Sequence, residues 1–244
     1  MIHVRQLSKS FGRVAAVRNL SFDVPDGVIT GLLGANGAGK TTTLRMISGV
    51  MNPDAGVIRL TGAAAGDDPR DGRRRLGALL DHQGLYPRLT GREHLAYFGR
   101  LRGVSRRFLS DRVEQVVGAL GLTAIADRRV GGFSQGERMK VSLGCAIIHE
   151  PTHLLLDEPT NGLDVPAVRA LRTWLKTRRT NGTCILFSSH VLSEIEALCD
   201  RVIIVTGGAA VAEGTLEEIC RHAGRDRLED AFVALTGGAE VPSC

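Results

Sequence analysis

Aromatic side chains are scarce, at 4% of the 244 residues with a single tryptophan. That leaves little surface for stacking nucleic-acid bases. No run of about 18 consecutive apolar residues occurs, so no segment is expected to cross a bilayer as a helix. The opening stretch MIHVRQLSKSFGR lacks the apolar region of a signal peptide. Cysteine is sparse: Cys145, Cys184, Cys199, Cys220 and Cys244 show no paired metal-ligand spacing, and their odd number and dispersal imply reduced thiols in a cytoplasmic protein. The net charge of +5 is modest. The basic runs at 70–75, 102–107 and Arg178-Arg179 read as solvated faces or loops, with contact to nucleic acid or anionic headgroups as the weaker alternative. Hydrophobic residues, at 43%, suffice for one large core with room for a smaller lobe.

The most specific feature present is Gly34 to Thr42, GANGAGKTT, which fits the pattern G-x-x-x-x-G-K-[ST]. It follows Val28 to Leu33, a buried-strand run, and precedes Thr41 to Ser48, where Leu44, Met46 and Ile47 form an apolar helix face. Between strand and helix, the backbone N–H groups of Gly34, Asn36, Gly37, Ala38 and Gly39 would converge on an anion at the positive end of a helix dipole. Lys40 would reach the β- and γ-phosphates of a nucleotide, the Thr41 hydroxyl would bind Mg²⁺, and Thr42 beside it is a further nucleotide-binding candidate. The bland alternative is a glycine turn that happens to contain a lysine.

Around this motif, Ile2 to Leu7, Val14 to Val24 and Val57 to Leu60 carry strand patterning, and Leu76 to Leu80 reads as another strand. Residues 91–122 read as two helices broken near Gly103. Alternation then resumes: a helix from Ser134 to about His149, a strand His153 to Leu156, and a helix from Pro166 to about Thr180. A strand Thr183 to Ser188, a helix Val191 to Leu198 and a strand Arg201 to Val205 follow. Such alternation implies a parallel sheet with crossover helices, an α/β fold into which a helical stretch at about 88–149 is inserted.

Two further strand ends carry chemistry. Leu154-Leu155-Leu156 runs into Asp157 and Glu158. Beside a phosphate loop, Asp157 would organise Mg²⁺ and Glu158 would orient or deprotonate the attacking water. Alone, the pair is also consistent with a strand capped by solvated acids. His190 follows Phe187-Ser188-Ser189 at a third strand end, facing the same crevice, where it is a candidate to contact the γ-phosphate.

Taken together these elements resemble the ATPase subunit of an ABC transporter, over about residues 1–220 and nearest the sodium-extrusion type of bacterial exporter cassette. FSQGERMKV (Phe133 to Val141) resembles the family's signature, LLLDEPTNGLD (Leu154 to Asp164) its Walker B and D-loop, and Ser189-His190 its switch histidine. FSSHVLSEIEALCDRVIIV, GGAAVAEGT and LEDAFVALTG resemble the sodium-extrusion group. The resemblance implies a P-loop NTPase core of ABC-ATPase type with an N-terminal antiparallel β portion, the helical subdomain at about 88–149 and a C-terminal helical tail at 221–244. It implies ATP and Mg²⁺ as ligands, with Phe11 stacking on adenine. Ser134 and Gly136 would bind the γ-phosphate held by a second cassette, and Asp164 would complete the D-loop side of the site. The expected partners are that second cassette, as a homodimer, and a separate membrane permease docking near Leu85-Tyr86-Pro87; no nucleic acid is expected. The expected location is peripheral, on the inner face of the cell membrane. Arg227 to Leu235 reads as an amphipathic helix packed on the cassette, with a regulatory contact as the weaker alternative.

Three departures accompany the resemblance. Gln135 stands where relatives carry glycine, crowding a phosphate unless its side chain points away, and Glu137 brings a negative charge that costs energy if unpaired. Asp81, not Gln83, falls at the usual position of the metal-facing Q-loop glutamine, so Gln83 would serve as metal ligand only if the loop shifts by two residues. Gly144-Cys145 replaces the common Ala-Arg, and Gly144 is expected to weaken its helix by about 1 kcal/mol relative to alanine.

Overall fold

Strands whose side chains alternate between a core and solvent open the chain: Ile2, Val4 and Leu7 of β1 (Ile2–Phe11) and Leu20, Phe22 and Val24 of β2 (Val14–Val24) are all buried. In the computed structural model, which describes residues 1–60, 72, 74–80 and 84–238, β1 pairs antiparallel with both β2 and β4 (Ala55–Leu60). The second sheet runs β5-β6-β7-β3-β8-β9, comprising β3 (Ile29–Leu33), β5 (Leu76–Leu79), β6 (His153–Asp157), β7 (Cys184–Ser189), β8 (Arg201–Thr206) and β9 (Ala209–Gly214). Its pairings are parallel except that of β9 with β8. The α/β organisation expected from strand–helix alternation is present.

Two cores lie on opposite faces of this sheet, and the two-residue period of the strands assigns side chains between them. Leu154, Leu156, Ile185, Phe187, Val202 and Ile204 enter one. Leu155, Leu186, Ile203 and Val205 enter the other, together with the antiparallel strands and Leu44, Met46 and Ile47 of α1 (Lys40–Ser48). Because the strands are buried on both faces, they read as continuous apolar runs in the sequence.

The helices between β5 and β6 are α2 (Gly91–Leu101), α3 (Arg106–Ala119) and α4 (Gln135–Ile147). Gly103, at φ +82°, makes the break between α2 and α3. Gly144 of α4 has a packing reason that its helix propensity does not show. A Cβ there would lie 2.6 Å from Leu95 Cδ2 and 3.1 Å from Val116 Cγ1. The missing side chain lets α4 approach α2 and α3 closely, so the propensity cost sustains a packing contact.

Beyond β6 come α5 (Val165–Thr180) and α6 (Leu192–Leu198); the chain then adds β9, α7 (Leu216–Ala223) and α8 (Leu228–Thr236). Leu228, Ala231 and Phe232 of α8 are buried in the same core as Ile195 and Ile219, so this helix packs on the body of the protein. Among the described residues no helix is long and apolar enough to cross a membrane.

Candidate nucleotide site

Three parallel strands, β3, β6 and β7, deliver the polar groups of the site at their C-terminal ends. After β3, the loop from Gly34 to Gly39 folds tightly enough for Ala38 N to donate to Ala35 O at 3.1 Å. Two of its glycines are required by space. A Cβ on Gly34 would fall 2.4 Å from Val205 O, and one on Gly39 would fall 2.4 Å from Ala16 O, with Gly39 also at φ +96°. Asn36 and Gly37 form the exposed tip, and nothing lies within 4 Å of where a Gly37 Cβ would be. Ala38 is buried beneath them.

The first turn of α1 has neither an acidic residue nor a side-chain cap; Thr43 N donates to Gly39 O at 2.9 Å, and the N–H groups ahead of it, with the helix dipole, face an external anion. Thr41 and Thr42 are half-buried there. Lys40 is 5% exposed; its Nζ donates to Gly34 O at 2.7 Å and Ala35 O at 3.1 Å, and stands 3.8 Å from Glu158 Oε1. Burial pushes the Lys40 pKa below that of an ordinary lysine, and the Glu158 and Asp157 charges oppose the shift.

At the end of β6, Asp157 is buried and accepts a short hydrogen bond from Ser188 Oγ on β7, its partner in register. Glu158 turns out of the strand at φ 45°, a left-handed conformation that costs a non-glycine residue of order 1–3 kcal/mol. Its N–H is shared between Ser188 O at 3.2 Å and Ser188 Oγ at 3.1 Å. Its carboxylate is gripped from both sides: Oε1 bonds His190 Nδ1 at 2.9 Å, and Oε2 accepts from Asn161 Nδ2 at 2.6 Å. Lys40, Asp157, Glu158 and His190 therefore meet, although they span 150 residues of sequence. Ser188 and Asn161 join them without having been singled out by the motifs. A serine at a strand end facing an acid was the available signal for the first; nothing local marked the second.

The remaining candidates lie around this cluster. Phe11 ends β1, paired with Val14, with its ring 49% exposed and Lys9 Nζ 6.0 Å from the centroid. Its hairpin reaches the loop through Ala16, which touches Gly39. Ser134 caps α4: its Oγ accepts from Glu137 N at 3.2 Å while Glu137 Oε2 accepts from Ser134 N at 2.7 Å. Glu137 also lies 3.4 Å from Arg128 Nη1, and the Ser134 N–H holds its pKa below the usual glutamate range. The expected penalty of an unpaired charge therefore does not arise. Gln135 points at the D-loop, where a Cβ on Gly162 would lie 2.5 Å from its Cδ. Gly136 approaches the same segment, 3.5 Å from Gly162 O and Leu163 Cδ2 when a Cβ is placed on it. Asp164 caps α5 by accepting from Ala167 N at 2.9 Å. Among the described residues no hydrogen bond or ion pair joins Ser134 or Gln135 to Lys40, Asp157, Glu158 or His190. Asp81 and Gln83 lie outside the described residues.

Beside the signature segment, Gly84, Leu85, Pro87, Val130, Phe133 and Arg138 help line a groove of about 950 Å³. Tyr86, between Leu85 and Pro87 in the chain, is half exposed, and its N–H donates to the buried His94 at 2.8 Å.

A family model described as "ABC transporter" matches residues 17–161. The chain is 40% identical over 222 residues to the ABC transporter ATP-binding protein NatA of Bacillus subtilis (strain 168), covering 91% of this chain and 90% of that protein. It is 39% identical over 213 residues to the Nod factor export ATP-binding protein I of Burkholderia lata, covering 87% and 70% respectively. A solved structure of an ATP-binding subunit of an ABC transporter superposes with a TM-score of 0.87 at 32% identity, covering 96% of this chain and 99% of that one.

Proposed function

The chain belongs to the ABC transporter family as an ATP-binding subunit, and on that footing we propose that it hydrolyses ATP in a closed pair of cassettes to drive a separate membrane exporter. The observation that carries the proposal is the Glu158 carboxylate, fixed by His190 and Asn161 and 3.8 Å from the buried Lys40 ammonium.

The loop from Gly34 to Thr42 binds the phosphates of ATP through its N–H groups, and Lys40 turns from the Gly34 and Ala35 carbonyls to the β- and γ-oxygens. Glu158 orients a water on the γ-phosphorus and takes its proton as the new P–O bond forms and the bond to ADP breaks. His190 holds Glu158 in place and faces the γ-phosphate. The donor set suits Mg²⁺, with Thr41 and Asp157 as its protein ligands. When bound, Mg²⁺ supplies neutralisation of phosphate charge. Phe11 stacks on the adenine ring.

Ser134 and Gly136 sit at an exposed helix start, unlinked to the Lys40 cluster of their own chain. They serve the nucleotide of a second copy, with Asp164 at the D-loop side of the joint. The groove beside Leu85 and Phe133 would receive a cytoplasmic helix of the permease, with the cassette on the inner membrane face; its mixed polar and apolar lining supports this reading. Residues 88–149 act as the helical subdomain and 221–244 as the tail. The transported solute is sodium or a drug-like compound, a reading supported by the resemblance of FSSHVLSEIEALCDRVIIV, GGAAVAEGT and LEDAFVALTG to the sodium-extrusion group.

Mg²⁺-dependent ATP hydrolysis measured over a protein concentration series tests this. Specific activity that rises steeply with concentration and is lost in Glu158→Gln, with ATP binding retained, is the expected result. Hydrolysis independent of concentration, or undiminished in Glu158→Gln, overturns the paired-cassette mechanism.

A further inference from the structure

At the opposite end of the central strands, three ligand-type side chains meet that lie far apart in the sequence. His153 opens β6, Cys184 opens β7 and pairs with it in register, and Asp26 lies in the turn between β2 and β3. One donor atom from each lies within 4.8 Å of the others. His153 is 2% exposed and Cys184 is fully buried, whereas Asp26 is exposed. The cluster is distinct from the nucleotide site: His153 and Asp157 sit at the two ends of β6, about 13 Å apart at 3.3 Å per residue.

Local structure already orients the donors. His153 Nδ1 bonds Thr152 Oγ1 at 3.1 Å, the kind of outer contact that fixes a ligating imidazole, and Nε2 lies 3.3 Å from the Met1 nitrogen. That nitrogen also donates to Asp26, so a positively polarised group sits between carboxylate and imidazole. Cys184 Sγ donates to Val24 O at 3.3 Å and also meets the Ile2 backbone, both weak contacts for sulfur.

We propose that Asp26, His153 and Cys184 bind a borderline divalent transition ion of the Zn²⁺ class, tying the β2–β3 turn to the starts of β6 and β7. The mixed nitrogen, sulfur and oxygen set excludes Mg²⁺ and Ca²⁺, which favour oxygen alone. Ligand atoms at 2.0–2.3 Å from a tetrahedral ion stand about 3.3–3.8 Å apart, so the donors close by about 1 Å, a movement that the exposed Asp26 side chain can supply. A ligating cysteine binds as thiolate, so binding exchanges the Sγ proton for the metal and affinity rises with pH.

The test is titration of the full, nucleotide-free chain with Co²⁺, read by thiolate-to-cobalt charge-transfer absorption and by proton release. The expected result is a band saturating at one equivalent with one proton released, bleached by Zn²⁺, and lost in Cys184→Ser. Asp26→Asn, on an exposed turn, keeps the fold and weakens Co²⁺ binding by more than about tenfold. Asp157→Asn leaves the band intact, because the nucleotide site has no sulfur ligand; this separates the inference from the ATPase reading. No charge-transfer band at saturating Co²⁺ overturns the proposal and leaves the cluster as an anchor for the Met1 nitrogen. A band that persists in Cys184→Ser overturns it equally.

Discussion

Asn161 donates to Oε2 of Glu158 at 2.6 Å, on the oxygen opposite the one that bonds His190. The contact exists because Glu158 leaves β6 in a left-handed turn, and Asn161 N closes that turn on Glu158 O at 3.1 Å. Asn161 is thus a positioning residue for the proposed base. Asn161→Ala is expected to lower kcat between about tenfold and 100-fold with little change in KM, the cost of a misplaced catalytic group. Asn161→Asp places a second carboxylate beside Glu158, so the acidic limb of the pH–rate profile moves to higher pH. Steady-state kinetics across pH check both, and an unchanged profile in Asn161→Asp removes the residue from that role.

Ser134→Arg is expected to abolish hydrolysis while leaving ATP affinity of the isolated monomer unchanged. The substituted side chain stands at the exposed start of α4, away from the Lys40 cluster of the same chain. Equilibrium binding of a fluorescent ATP analogue beside turnover measurements separates the two effects. Weakened monomer binding would place Ser134 in its own chain's site.

Gly144→Ala is expected to destabilise the protein by about 1–3 kcal/mol, although alanine favours helix by about 1 kcal/mol. The added methyl meets Leu95 Cδ2 at 2.6 Å. Urea unfolding gives the sign directly, and a stabilised variant would mean that α2 yields to the new group.

Glu137 supplies a pH test of the α4 cap. The Ser134 N–H depresses its folded pKa, so its ionised form contributes stability above about pH 4.3, the unfolded value. That contribution is lost as pH falls through the lower folded pKa. Glu137→Gln should therefore reduce the urea midpoint at pH 7, with the gap to the parent closing in acid. A gap that is constant with pH would assign the effect to packing.

Much of the proposed catalytic cluster is legible in sequence because it hangs on strand ends. Leu33, Leu156 and Ser189 close apolar strand runs, and the change to the glycine-rich loop, the Asp157-Glu158 pair and His190 marks each strand end in the sequence. The contact that arrests Glu158 is not legible, since a glutamate at φ 45° follows from Ser188 and Asn161 together rather than from any local pattern. Gly144 looks like a weak point until α2 and α3 are in place. The edge strand β9, AAVAEG, is alanine-rich, with mostly partial burial to guide a reader. Asp26, His153 and Cys184 share no spacing at all, because their juxtaposition depends on the register of β6 with β7.

That register also limits how this protein can drift over evolutionary time. Asp157 and Ser188 face each other as one rung of the ladder between β6 and β7, and Glu158 and His190 follow directly from the two strands. A one-residue slip would exchange the faces of every side chain on the moved strand, sending Leu155 where Leu154 and Leu156 belong and turning Asp157 away. Single replacements can accumulate at exposed positions such as Val165 or Val233, one neutral step at a time. An insertion or deletion within five-residue β6 has no such gradual path, and lineages carrying one should be purged at once.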